Sequence, residues 1–222
     1  MPSLLRVSPE SPFPRALVRV CSRVQRELWG LKLARLYGIG IGVSYAMLTF
    51  ASAPTALSIS KLWVGCVTTA SWVAGVGALS LATDLAGRDD AQGVSQLAAL
   101  RGYGRQQLER ARTIAGAVRL SGAVTIPAAI TLAAALLRFR TLSGAGAAIG
   151  LACITLPYAA LLGGSLSLLA RASNGWLPGR GRWLFLGLTL GPWLLAKGTG
   201  LPLPSVPGAF AWLLQHAAGS VR

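Results

Sequence analysis

The chain has 222 residues, of which 53% are hydrophobic and 12% charged, with a formal net charge of +15. A soluble domain carries roughly 25% charged residues, so this composition excludes an ordinary water-solvated enzyme core and points to lipid as the main solvent. The cations alternate with apolar stretches and form no aromatic-flanked patch, which argues against a nucleic-acid surface.

Residues 1–14, "MPSLLRVSPESPFP", are proline-rich and read as irregular. After Pro14, Leu17, Val20, Cys21, Val24, Leu28 and Leu31 recur at steps of three or four, while Arg15, Arg19, Arg23 and Arg26 take other positions. That pattern predicts an amphipathic helix lying in the membrane interface, with Trp29 at headgroup level. The first 35 residues lack a compact apolar core followed by a small-residue cleavage site, so the first span is expected to act as an uncleaved membrane signal.

Five apolar spans follow, at 36–53, 62–83, 120–137, 142–170 and 183–196, the last and shortest extending to about 201. Gly38 and Gly42, then Gly146 and Gly150, have the spacing that lets membrane helices approach closely, and Gly75, Gly77, Gly163 and Gly164 add further points. Pro127, Pro157 and Pro192 each fall inside a span, where they allow kinks. The predicted fold class is therefore all-α: a polytopic membrane bundle of about five spans, with an N-terminal interfacial helix and a short C-terminal helix within 209–218. Residues 1–35 form the N-terminal segment, 36–201 the membrane domain including a loop at 84–112, and 202–222 a short C-terminal segment.

Basic residues cluster before span one (Arg6, Arg15, Arg19, Arg23, Arg26, Lys32, Arg35), in the 84–112 loop (Arg88, Arg101, Arg105, Arg110, Arg112), and between spans four and five (Arg171, Arg180, Arg182). The other side has only Lys61, Arg138, Arg140, Lys197 and Arg222. By the positive-inside rule the N-terminus and the 84–112 loop are cytoplasmic. Arg119, at the start of span three, reads as a boundary residue snorkelling to the cytoplasmic headgroups.

No catalytic, cofactor or metal constellation emerges. Cys21, Cys66 and Cys153 are widely spaced and read as apolar packing residues. Ser165 and Ser167 in "GGSLS" are not in a nucleophile elbow, and the only histidine, His216, lies in the C-terminal segment. No acidic residue sits mid-span, against ion-coupled transport.

The stretch "TDLAGRDDAQGVSQLAALRGYGRQQLERAR" (83–112) holds four of the six acidic residues, Asp84, Asp89, Asp90 and Glu109, among five arginines. Gly93 interrupts it. Val94, Leu97 and Ala98 then share one face of a short helix with Leu100 beside them, and "RGYG" closes that helix before "RQQLERAR" leads into span three. An apolar-faced helix with no lipid over it calls for a protein partner.

This order of parts resembles the permease subunits of ABC-2-type ATP-driven transporters, including the small haem-exporter B-like members. The resemblance rests on Asp89, Asp90, Gly93, Leu97, Leu100, Arg101, Gly102, Arg105 and Leu108. It extends over 14–200 as architecture, with Gly102-Tyr103-Gly104 where a proline is often found and no sixth span after Pro207. It implies a non-enzymatic transport subunit without cofactor, working as a dimer with a second or homologous permease in a bacterial inner membrane. Two separate ABC ATPase subunits would dock under 90–104 and 15–31, because the chain has no GxxxxGK[ST] sequence of its own. The transported substrate is open, and the rival reading is a membrane scaffold or assembly factor that binds a cytoplasmic partner through 84–112.

Overall fold

The computed structural model describes residues 15–51, 56–83, 93–138, 142–177, 179–199 and 205–219. Among them every regular element is a helix: α1 (Arg15–Gln25), α2 (Trp29–Ala51), α3 (Ala56–Leu81), α4 (Val94–Leu100), α5 (Arg105–Arg138), α6 (Leu142–Trp176), α7 (Gly181–Thr199) and α8 (Val206–Gly219). Helices are the form in which a spanning backbone satisfies its own amides and carbonyls. Small hydroxyls follow the same logic within their helices. Thr49, Thr69 and Thr189 donate to the carbonyls of Tyr45, Gly65 and Phe185, four residues back, at 2.7–2.8 Å.

Among the described residues four helices are long and apolar enough to cross a membrane: Trp29–Ala51, Ile59–Leu81, Arg105–Arg138 and Ala145–Trp176. The expected fifth span is present as α7, yet it is not among the four. Its 19 residues include Arg182 and Lys197 near the two ends, leaving only 183–196 uncharged between them. At 14 residues α8 extends about 21 Å, short of the ~30 Å hydrocarbon core. It packs back against α3, α6 and α7, with Leu214 fully buried.

Helix α5 is the hub, packed against α1, α2, α3, α4 and α6. The approach to α2 is made through glycine. A Cβ on Gly38 would lie 3.0 Å from the Ala123 carbonyl, and one on Gly42 only 2.8 Å from Pro127 Cα. Gly77 opens the α3 surface to Ala34 in the same way, and Gly163 lets α6 reach the Ala117 carbonyl of α5. Gly75, Gly146 and Gly164 depart from the expected role, since a Cβ on any of them meets nothing within 4 Å.

The main core runs from Leu28 and Leu31 through Trp63, Val67, Leu120 and Val124 to Leu151, Leu162 and Phe185. Polar links cross it. Trp63 Nε1 donates to Thr155 Oγ1 at 2.9 Å, Thr131 Oγ1 to Cys66 Sγ at 3.3 Å, and Ser121 Oγ to the Ala159 carbonyl at 2.8 Å. Cys66 is thus a packing residue and Cys21 sits in a second, smaller core, whereas Cys153 is exposed on the bundle surface.

Candidate functional site

At 34 residues α5 is about 51 Å long, well over the thickness of a hydrocarbon core. Its first turns therefore project from the bundle, at the end where α1 and α4 lie. They carry Leu108, Ala111 and Ala115 on one face, and these form a separate small core with Leu17 and Cys21 of α1 and Ala98 of α4. Val18, Val24 and Tyr103 pack against its rim.

This arrangement corrects the sequence reading of 15–31 in two respects. The periodic run is not one helix: α1 ends at Gln25, Arg26 and Glu27 form a turn, and Leu28 and Leu31 belong to the main core. The apolar stripe of α1 is also covered by protein, because the projecting part of α5 supplies a surface that lipid was expected to provide. Leu17 is buried and Val24 half-buried, while Val20 remains exposed.

Polar contacts lock α1 to α5. Gln25 Nε2 donates to the Arg112 carbonyl at 2.9 Å, and Arg119 donates to the Ser22 carbonyl and, at 3.1 Å, to Ser22 Oγ. Arg119 therefore ties down the last turn of α1, at the negative end of that helix's dipole. Glu109 binds Arg112 on its own helix and Arg171 of α6 at 3.5 Å, and Ser167 Oγ donates to the Thr113 carbonyl at 2.8 Å. These contacts extend the clasp to a third helix.

The link from α4 to α5 is built by capping. Gly93 (φ 69°) precedes α4 and Gly102 (φ 75°) follows it, both in the left-handed region that favours glycine. Tyr103 N donates to Ala98 O and Gly102 N to Ala99 O, both at 2.9 Å, which is the paired bonding of a Schellman cap. Tyr103 packs against the small core to which Ala98 belongs, the kind of hydrophobic contact that accompanies such a cap. At the start of α5, Gln107 Oε1 accepts from Gly104 N at 3.1 Å, one half of a capping box. Two helix caps back to back leave little slack between α4 and α5.

The expected interface residues divide accordingly. Leu100 is 84% exposed, and Arg101 and Arg105 are also exposed, so these three face outward. Ala98, expected on the docking face, points inward. Val94 and Leu97 lie on α4. Asp84, Asp89 and Asp90 lie outside the described residues. Glu27, in the turn before α2, pairs with Lys32 at 2.7 Å, and that hydrogen bond and charge hold its carboxyl below the usual carboxylate range.

Ser165 donates to the Leu162 carbonyl at 3.0 Å, whereas His216 Nδ1 lies 2.9 Å from the Trp212 carbonyl on α8. Among the described residues no three His, Cys, Asp or Glu side chains converge as metal ligands. Sequence reading missed the Gln25–Arg112 and Arg119–Ser22 links. The available signal was the uninterrupted helical character of 105–138, which places Leu108, Ala111 and Ala115 on a continuation of span three.

Fold and site together define an all-α polytopic membrane protein with a compact helical joint at one end. The chain matches no protein-family model, and comparison with curated proteins and with solved structures gives no significant match.

Proposed function

We propose that the chain is the membrane-spanning permease subunit of an ATP-driven ABC-2-type exporter, placed in a bacterial cytoplasmic membrane with its N-terminus inside. Two copies, or this chain and a homologous one, form the pathway, and two separate ABC ATPase subunits dock at the joint. The observation that carries this reading is the shared small core of α1, α4 and the projecting start of α5. A push on α4 passes through the back-to-back caps into α5 and a push on α1 through the shared small core, and α5 packs against α2, α3 and α6. An ATPase closing on nucleotide needs such a stiff lever.

The outward residues suit a docking surface. Leu100 gives an apolar contact and Arg101 and Arg105 give charge, on a face that the bundle itself does not cover. The test is co-expression with candidate ABC ATPase subunits, followed by co-purification in mild detergent and an ATP hydrolysis assay. The ATPase is expected to co-purify with wild type and to be lost from the Leu97→Asp, Leu100→Asp double variant. A folded wild-type chain that retains no ATPase would refute the reading and leave the scaffold function in its place.

A further inference from the structure

A cavity of about 370 Å³ opens between α3, α6, α7 and α8, and its described lining residues all come from those four helices. Its volume is at the lower end of the range of small-molecule sites. One end is wholly apolar, formed by Leu79, Leu166, Phe185 and Leu186. The other end carries Lys197, and among the described residues no acidic side chain lines the cavity. Lys197 Nζ stands 4.9 Å from the centre of the Trp193 ring, and Trp193 in turn meets Trp72 edge-on at 5.3 Å. Within the lining Ser71 Oγ and Tyr158 Oη share a hydrogen bond at 3.0 Å and Thr189 Oγ1 donates to the Phe185 carbonyl at 2.7 Å, so these hydroxyls are already satisfied. Helix α8 closes one side, with Phe210 edge-on to Tyr158 at 5.8 Å.

A cation at one end of a long apolar slot is complementary to an amphiphile with the opposite charge on its head. From Phe185 to Lys197 the wall of α7 rises about 18 Å, the length of one extended acyl chain. The volume suits one such chain and not two. We propose that this cavity binds a single-chain anionic amphiphile, a long-chain fatty carboxylate or a molecule of that chemistry, with its head on Lys197 and its tail toward Phe185. The site is independent of any ATPase partner, so its failure and the failure of the transporter reading are separate results.

The cavity supplies its own reporters in Trp72 and Trp193, and its own blocking position in Gly75. A Cβ on Gly75 meets nothing within 4 Å, although the residue lines the cavity. Gly75→Leu therefore fills the space without displacing backbone. The full chain in zwitterionic nanodiscs is titrated with 9,10-dibromostearate, whose bromines quench tryptophan fluorescence, and in parallel with its uncharged glycerol monoester.

Wild type should show a saturable quenching phase with the carboxylate, on top of the linear phase from probe dissolved in the bilayer. Gly75→Leu should lose that phase. Trp193→Phe should reduce its amplitude without weakening binding, which keeps the location testable if Gly75→Leu fails to fold. Lys197→Gln should weaken the carboxylate about tenfold, the loss of one charge-assisted contact, and leave the monoester unchanged. Linear quenching alone in wild type, or a saturable phase unaffected by Gly75→Leu and Trp193→Phe, would overturn the site. Equal affinity for carboxylate and monoester would overturn the anionic headgroup.

Discussion

Gly102 offers a quantitative test of the joint. At φ 75° it occupies a conformation that costs an L-residue about 1–2 kcal/mol. A Cβ there meets nothing within 4 Å, so Gly102→Ala adds backbone strain and no clash. The strain falls on the two cap bonds, Gly102 N to Ala99 O and Tyr103 N to Ala98 O. A local penalty of about 1–2 kcal/mol raises the open population of that cap by about 5–30-fold. Hydrogen-exchange mass spectrometry in detergent should read the change as correspondingly faster exchange over 98–104, with 120–135 unaffected. Arg101→Ala, at an exposed neighbour whose side chain takes no part in the two cap bonds, is the control and should exchange like wild type. Unchanged exchange in Gly102→Ala, or equal acceleration in the control, would refute the claim that the cap holds α4 to α5.

Other outcomes follow from the same structure. Gly42→Ala places its methyl 2.8 Å from Pro127 Cα, an overpacking cost of about 2 kcal/mol, and should lower the melting temperature by about 4–8 °C. Gly40→Ala meets open space and should not lower it. The Glu27 carboxyl is held below its ordinary range by Lys32, so its stabilisation is present above the ordinary carboxylate pKa and fades as pH falls through the lowered value. Both side chains are largely exposed, which keeps the effect small, and Glu27→Gln should flatten this acid-side part of a melting-versus-pH curve. Cysteines introduced at Arg101 and Gln215, both exposed, should differ in whole cells: an impermeant maleimide labels position 215 and spares 101. The reverse pattern would invert the proposed orientation.

Where lipid alone dictates the pattern, the sequence was readable. The uncharged runs 36–53 and 62–83 coincide with α2 as far as Ala51 and with α3 as far as Leu81, because a membrane leaves a long apolar segment little choice but helix. The close approach at Gly38 and Gly42 was also legible from spacing, whereas Gly146 has the same spacing and no neighbour. Spacing states what a helix permits and is silent on which face meets a partner.

The N-terminal run misled for a related reason. Leu28 and Leu31 continue the period of Leu17 and Cys21, yet a turn at Arg26 and Glu27 sends them into a different core. Periodicity cannot register a short turn that preserves phase. The turn after α4 was read correctly from "RGYG", since glycine there reports directly on backbone conformation. The Lys197 cavity was invisible because its residues come from four helices, and only the packing of α7 and α8 over α3 and α6 assembles them.

The most direct test of the docking claim is a photo-crosslink at Leu100, an exposed large side chain at the end of α4. A benzophenone amino acid replaces it in cells that also express the candidate ATPase subunits, and the adducts are identified by mass spectrometry. The account predicts a product joining this chain to an ABC ATPase, identified by peptides that include its phosphate-binding loop, and absent when the crosslinker is moved to exposed Leu213 on α8. Adducts at position 100 with lipid alone, or only with proteins lacking that loop, would contradict it.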